Sequence, residues 1–91
     1  MIYKGFYVSR IKDCEENEGG YYCIVYDESG NYELDNFCIH KEDLEKYKDT
    51  RENSLFNNED FIIENLIITY IDNYFNDLVK LRKEVLKWKY Y

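Results

Sequence analysis

Few residues of this chain are of types that do covalent chemistry. The single histidine is His40, and the three cysteines are Cys14, Cys23 and Cys38. On a strand Cys38 and His40 share one face, and with Cys23 or Cys14 they sketch a zinc site. The spacing argues against it. Structural zinc is held by pairs such as Cys-x2-Cys and His-x3-His, and the chain has neither. Buried thiols and a helix-capping histidine explain these residues more simply. Nucleophilic catalysis needs a nucleophile, a base and an orienting group within reach. A Cys23–His40 pair is the one arrangement open to it, since Ser9, Ser29 and Ser54 sit in no nucleophile elbow. Gly19-Gly20 follows an acidic run that would repel a phosphate rather than cradle it. The expectation is a protein that is not an enzyme and holds no metal and no cofactor.

The chemistry this sequence does offer is charge. The net charge is −7, unevenly spread. Residues 1–12 carry three bases and no acid. Residues 13–64 carry sixteen acids against four bases, a net of −12, and residues 65–91 carry five bases against three acids. The acids fall in clusters. Asp13, Glu15, Glu16 and Glu18 lie in one loop, Asp27 and Glu28 in the next, and Glu42, Asp43 and Glu45 on a short helix that Asp49 closes. Such a field repels nucleic acid and attracts basic protein surfaces. Surface acids also simply keep a small protein soluble. The sharper reading is that carboxylates interleaved with tyrosines copy a nucleic-acid backbone and occupy a groove meant for DNA or RNA. The basic end, Lys80, Arg82, Lys83, Lys87 and Lys89 with Trp88, has the ingredients for nucleic-acid contact. Bases at a helix C-terminus serve the helix dipole equally well, so no direct nucleic-acid partner is expected.

These clusters need elements to position them. Residues 2–12 read as one strand in which Ile2, Phe6 and Val8 alternate with polar positions and Tyr3 and Tyr7 face the other way, with Gly5 marking a bulge. Residues 13–20 form a loop. Residues 21–26 are β-branched and aromatic throughout, as in a central strand. Asp27-Glu28-Ser29-Gly30-Asn31 is a hairpin connection. Residues 32–39 form a third strand whose alternation breaks near Asp35-Asn36, which predicts a bulge. A short helix over 41–48 follows, begun by His40 or a neighbour and anchored by Leu44 and Tyr47. Residues 49–54 are a polar connection.

Asn57 then caps a long helix, with a hydrophobic staple between Phe56 and Phe61. Ile67, Ile71, Tyr74, Leu78, Leu81, Val85 and Trp88 are spaced 4, 3, 4, 3, 4, 3 along it, the seam of a heptad repeat. An unbroken helix over this stretch would be roughly 50 Å long, against roughly 30 Å for a domain of this size. Either it breaks near Asp72-Asn73 or its end projects. The expected fold is α+β in the order β-β-β-α-α: one domain, residues 1–91, with an antiparallel three-stranded meander packed on the long helix. The expected core is Phe6, Val8, Ile24, Val25, Phe37, Ile39, Phe61, Ile63, Leu66, Ile67, Ile71 and Leu78.

An odd number of cysteines, the lack of a signal-like apolar N-terminus and the lack of a spanning segment point to a reducing cytoplasm, away from any membrane, and the Lys/Asn/Tyr/Ile-rich, proline-free composition suits a low-GC bacterium or its phages and mobile elements. In size, in its meander-plus-helix plan and in its acids at 13–18, 27–28 and 42–45, the chain resembles the small acidic inhibitors of phages and mobile elements, the anti-CRISPR proteins in particular. That resemblance implies a non-enzymatic inhibitor bound to the basic groove of a CRISPR effector or another nuclease. The contacts would be Asp13, Glu15, Glu16, Glu18, Asp27, Glu28, Glu42, Asp43 and Glu45. The competing readings are a homodimeric adaptor or regulator joined along Tyr74, Leu78, Leu81, Val85 and Trp88, and an antitoxin that neutralises a basic toxin.

Overall fold

Lys4 and Gly5 reverse the chain almost as soon as it starts. Both have positive φ, 48° and 82°, the conformation of a two-residue hairpin turn matched to strand twist. The computed structural model, which describes residues 1–12, 18–49 and 59–89, therefore opens with two strands rather than one. These are β1 (Ile2–Tyr3) and β2 (Phe6–Lys12). β3 (Tyr21–Tyr26), β4 (Glu33–Ile39), α1 (Lys41–Asp49), α2 (Glu59–Asn73) and α3 (Phe75–Lys89) follow. The sheet is antiparallel in the order β1-β2-β3-β4.

The α+β class is as expected, with four strands in place of three. A two-residue strand is too short to show alternation, so Gly5 read as a bulge. The turn also changes which way the first residues face. Tyr3 pairs with Phe6 and Ile2 with Tyr7, so Tyr3 joins the covered face while Ile2 is left 67% exposed. Gly5 has a second constraint, because a Cβ there would lie 2.7 Å from Arg82 Nη1. Gly5→Ala is expected to cost about 1–2 kcal/mol through backbone strain and this collision, measurable as a lower urea midpoint with an unchanged slope.

One sheet face is covered. Phe6, Val8, Tyr21, Cys23, Val25 and Ile39 are buried on it beneath Ile62, Ile63, Ile67 and Ile71 of α2 and Leu78 of α3. Leu44 holds α1 to the same core; Tyr47's side chain lies outside the described residues, as do Phe56, Asn57 and the 50–54 connection. Ile24 and Phe61 leave the expected core, and Tyr21, Cys23, Leu44 and Ile62 enter it. Ile24 faces the uncovered side and is half-buried, Phe61 is 43% exposed on α2, and Ile62 takes the inward place expected of Phe61. Phe37 and Leu66 are partly buried at the edge of the core. The β3–β4 register slips where Val25 faces Asp35 and Tyr26 faces Glu33. Leu34 is thus the extra residue, one position before the expected irregularity.

The long helix is interrupted at Tyr74, one residue after the expected break. The ladder is still carried across by Tyr74 N–H to Tyr70 O at 3.1 Å and Leu78 N–H to Tyr74 O at 2.9 Å. The longest dimension of the molecule is 52 Å, so interruption does not fold the helix back. α3 reaches the β1–β2 corner, where Phe75 meets Phe6 edge to face at 6.1 Å and Arg82 lies over the Phe6 ring at 4.7 Å.

Candidate functional site

Strand direction decides which acids meet. β3 is six residues long, roughly 20 Å, and separates the β2–β3 connection from the 27–32 turn. β4 returns to the end where β3 began, because Ile39 pairs with Tyr21. α1 therefore starts beside the β2–β3 connection. Lys41 packs against Gly19, where an added Cβ would come within 3.0 Å of its side chain. α2 begins at this end too: Tyr21 OH donates to Glu59 Oε2 at 2.8 Å. The fold thus gathers Glu18, Glu42, Asp43 and Glu45 at one end of the sheet, all exposed. Asp13, Glu15 and Glu16 belong by sequence to the connection leading to Glu18 and lie outside the described residues.

The opposite end holds the other two expected contacts, and they divide. Glu28 is exposed. Asp27 is only 7% exposed and turns inward, accepting bonds from Ser29 Oγ at 2.6 Å, Asn31 N–H at 3.1 Å and Tyr32 N–H at 2.9 Å. Burial pushes its carboxyl up, but these donors outweigh burial and hold it below its ordinary value. Asp27 ties the turn together and is not part of an outward acidic surface.

The acidic end has internal partners. Arg10 and Lys12 share parity with Phe6 and Val8, so they lie on the covered face and meet the first turn of α2. Arg10 Nη2 is 3.0 Å from Asp60 Oδ1, and Lys12 Nζ is 3.8 Å from Glu59 Oε2. Strand parity and an acidic first helical turn were the signals that could have found these pairs. Burial, then the Glu59 carboxylate, raises Tyr21 to about 12, so it remains a neutral donor. Asp43 has a structural duty as well, since its Oδ2 accepts His40 N–H at 3.1 Å, closing the start of α1. Lys41 and Glu45 are 3.8 Å apart and more than half exposed, a pair of little energetic weight.

The remaining clusters are structural in their geometry. Cys23 and Cys38 sit on opposite faces, because Cys23 pairs with Phe37 and Cys38 with Tyr22; Cys14 lies outside the described residues. Burial raises the Cys23 thiol to about 11, which leaves it protonated and a poor nucleophile at neutral pH. Among the described residues no three His, Cys, Asp or Glu side chains come together as metal ligands, and no helix is long and apolar enough to cross a membrane. At the hairpin end, Lys4 Nζ lies 2.7 Å from Asp72 Oδ1, which also accepts from Tyr3 OH. Lys4, then Tyr3, lowers the Asp72 carboxyl. Tyr70 stacks on Phe37 at 3.9 Å and donates to Asp35. Burial, reinforced by that carboxylate, raises the Tyr70 phenol.

The helical seam is divided. Leu78 is fully buried in the domain core and is not available to a second helix. Tyr74 is 47% and Leu81 36% exposed, Val85 is half-buried, and the side chain of Trp88 lies outside the described residues. Compared with known proteins, the chain matches no family model, no curated protein and no solved structure.

Proposed function

We propose that this chain is a non-enzymatic protein inhibitor whose acidic end occupies a basic groove on a nucleic-acid-acting enzyme, a CRISPR effector or another nuclease. One observation carries the reading: the topology brings the start of α1 beside Gly19 in the β2–β3 connection, so Glu18, Glu42, Asp43 and Glu45 share one exposed end. The sheet's own bases at this end do not cancel them. Arg10 and Lys12 are drawn to Asp60 and Glu59 instead. A concentrated negative end speeds capture of a basic surface and excludes the nucleic acid that would otherwise sit there.

Reversing Glu15, Glu16 and Glu42 to Lys is the test, with Asp43→Asn in place of a reversal because Asp43 also caps α1. The variant is expected to melt within a few degrees of the parent and to bind the target captured from host extract at least tenfold more weakly. Capture itself should hold at about 0.05 M salt and fail at about 0.5 M, where the screening length shrinks several-fold. Equal binding by variant and parent would refute the electrostatic reading.

A further inference from the structure

Where β1 stops, β2 is left with an open side. Met1 and Val8 exchange backbone bonds, Val8 N–H to Met1 O at 2.8 Å and the Met1 ammonium to Val8 O at 3.2 Å. Every second residue of an antiparallel strand turns its N–H and C=O to the same side. Those of Arg10 and Lys12 therefore face outward beyond Met1, while those of Ser9 and Ile11 face Ile24 and Tyr22 of β3. Among the described residues nothing takes the outward groups. A cleft of about 350 Å³ opens along this edge, lined by Tyr7 and Ser9 from one face of β2, Val8 and Arg10 from the other, and Glu64 and Ile67 of α2. Residues of both strand faces line one cleft only around an open edge. Such edges are commonly guarded by a proline, a bulge or an outward charge. The chain has no proline, and the β2–β3 register runs unbroken from Tyr7 to Lys12. The two charges are drawn to α2 instead, Arg10 at 3.0 Å from Asp60 and Lys12 at 3.8 Å from Glu59.

We propose that this edge docks an extended segment of a partner protein, with basic residues at alternate positions, as an added strand beside β2. The outward backbone groups call for another extended chain, which satisfies them as a sheet ladder does. Charge selects its side chains. Those on the α2 side of an added strand enter the cleft. Glu64 is exposed there and forms no ion pair among the described residues. It stands about one turn along α2 from Asp60, whose side chain is 72% exposed even with Arg10 beside it. Two carboxylates on one wall suit Lys or Arg. A second copy of this chain fits worse. Pairing two β2 edges about a two-fold axis at Ile11 would set Arg10 opposite Lys12, like charges facing each other, and would bring the acidic first turns of two α2 helices together. The open stretch, residues 9–12 of β2, spans roughly 13 Å, the reach of a short linear segment.

Amide hydrogen exchange of the full chain, alone and with a short capped peptide of alternating lysine and valine, tests this. In the free chain the Arg10 and Lys12 amides should exchange roughly tenfold or more faster than those of Ser9 and Ile11. The peptide at about 1 mM, a concentration suited to a short and weak ligand, should slow both. The same peptide with every amide N-methylated keeps its charge and loses its donors, and should give no protection. Glutamate in place of lysine should weaken binding roughly tenfold. Lys12→Pro removes one outward N–H and leaves the bonds to β3 in place; it should melt within a few degrees of the parent and lose most of the binding. Slow exchange of Arg10 and Lys12 in the free chain, protection that grows with protein concentration alone, no effect of the lysine–valine peptide, or equal protection by its N-methylated form would each overturn the proposal. The acids of α1 play no part in this contact, so its failure leaves the inhibitor reading standing.

Discussion

Ile67→Ala is expected to lower the stability of this protein by about 3 kcal/mol, within the range for emptying a buried branched side chain. Ile67 is 1% exposed in the middle of α2, in the cluster that joins helix to sheet. Its neighbours Ile63 and Ile71, one turn away on either side, are fully buried. The strands opposite are held by their ladders, so the site collapses little and most of the cavity persists. For a domain of this length the loss is a large share of a total of roughly 5–10 kcal/mol, and it shifts melting by roughly 12–24 °C. Urea unfolding should show a lower midpoint with an unchanged slope. A loss below about 1 kcal/mol would mean that α2 does not pack on the sheet as described.

Asp27→Ala should cost about 2 kcal/mol, an unusual sum for an acid in a hairpin turn. The carboxylate accepts a hydroxyl and two backbone N–H groups inside the 27–32 turn, and alanine leaves all three donors without it. Asp27→Asn keeps an acceptor and should recover part of the loss. The pH dependence has a definite sign. The folded carboxyl is held below its ordinary value of 3.8, so folding favours the ionised form. That stabilisation is complete above the unfolded value and is lost as pH falls through the lower folded value. Wild type should therefore lose more stability than Asp27→Asn on acidification below about pH 4. Parallel acid curves for the two would contradict the assignment, as would an Asp27→Ala variant as stable as the parent.

The parts of the fold readable from sequence are those with long, regular signals. Six alternating or continuous apolar residues marked β3, and the 4,3 spacing from Ile67 to Leu78 marked the helix that covers the sheet. What escaped was set by single residues or by distant partners. Two positive φ angles at Lys4 and Gly5 convert one apparent strand into a hairpin and turn Ile2 outward, which periodicity over two residues cannot announce. The acids read as one outward population, yet Asp27 turns inward on its own turn, Asp72 engages Lys4, and Glu59 and Asp60 engage the covered-face bases. Those fates depend on which element lies across from each acid. Parity could have put Arg10 and Lys12 on the Phe6 face, but the acidic partners appear only once α2 is laid on β2.

Competition between nucleic acid and this protein for a captured nuclease tests the central claim most directly. With the complex formed at low salt and the enzyme's own nucleic-acid substrate titrated in, the bound protein should be released in proportion as substrate binds, and the Glu15, Glu16, Glu42 variant should be released at lower substrate concentration. A ternary complex, in which substrate binds fully while the protein stays in place, would show that the acidic end does not sit in the nucleic-acid groove.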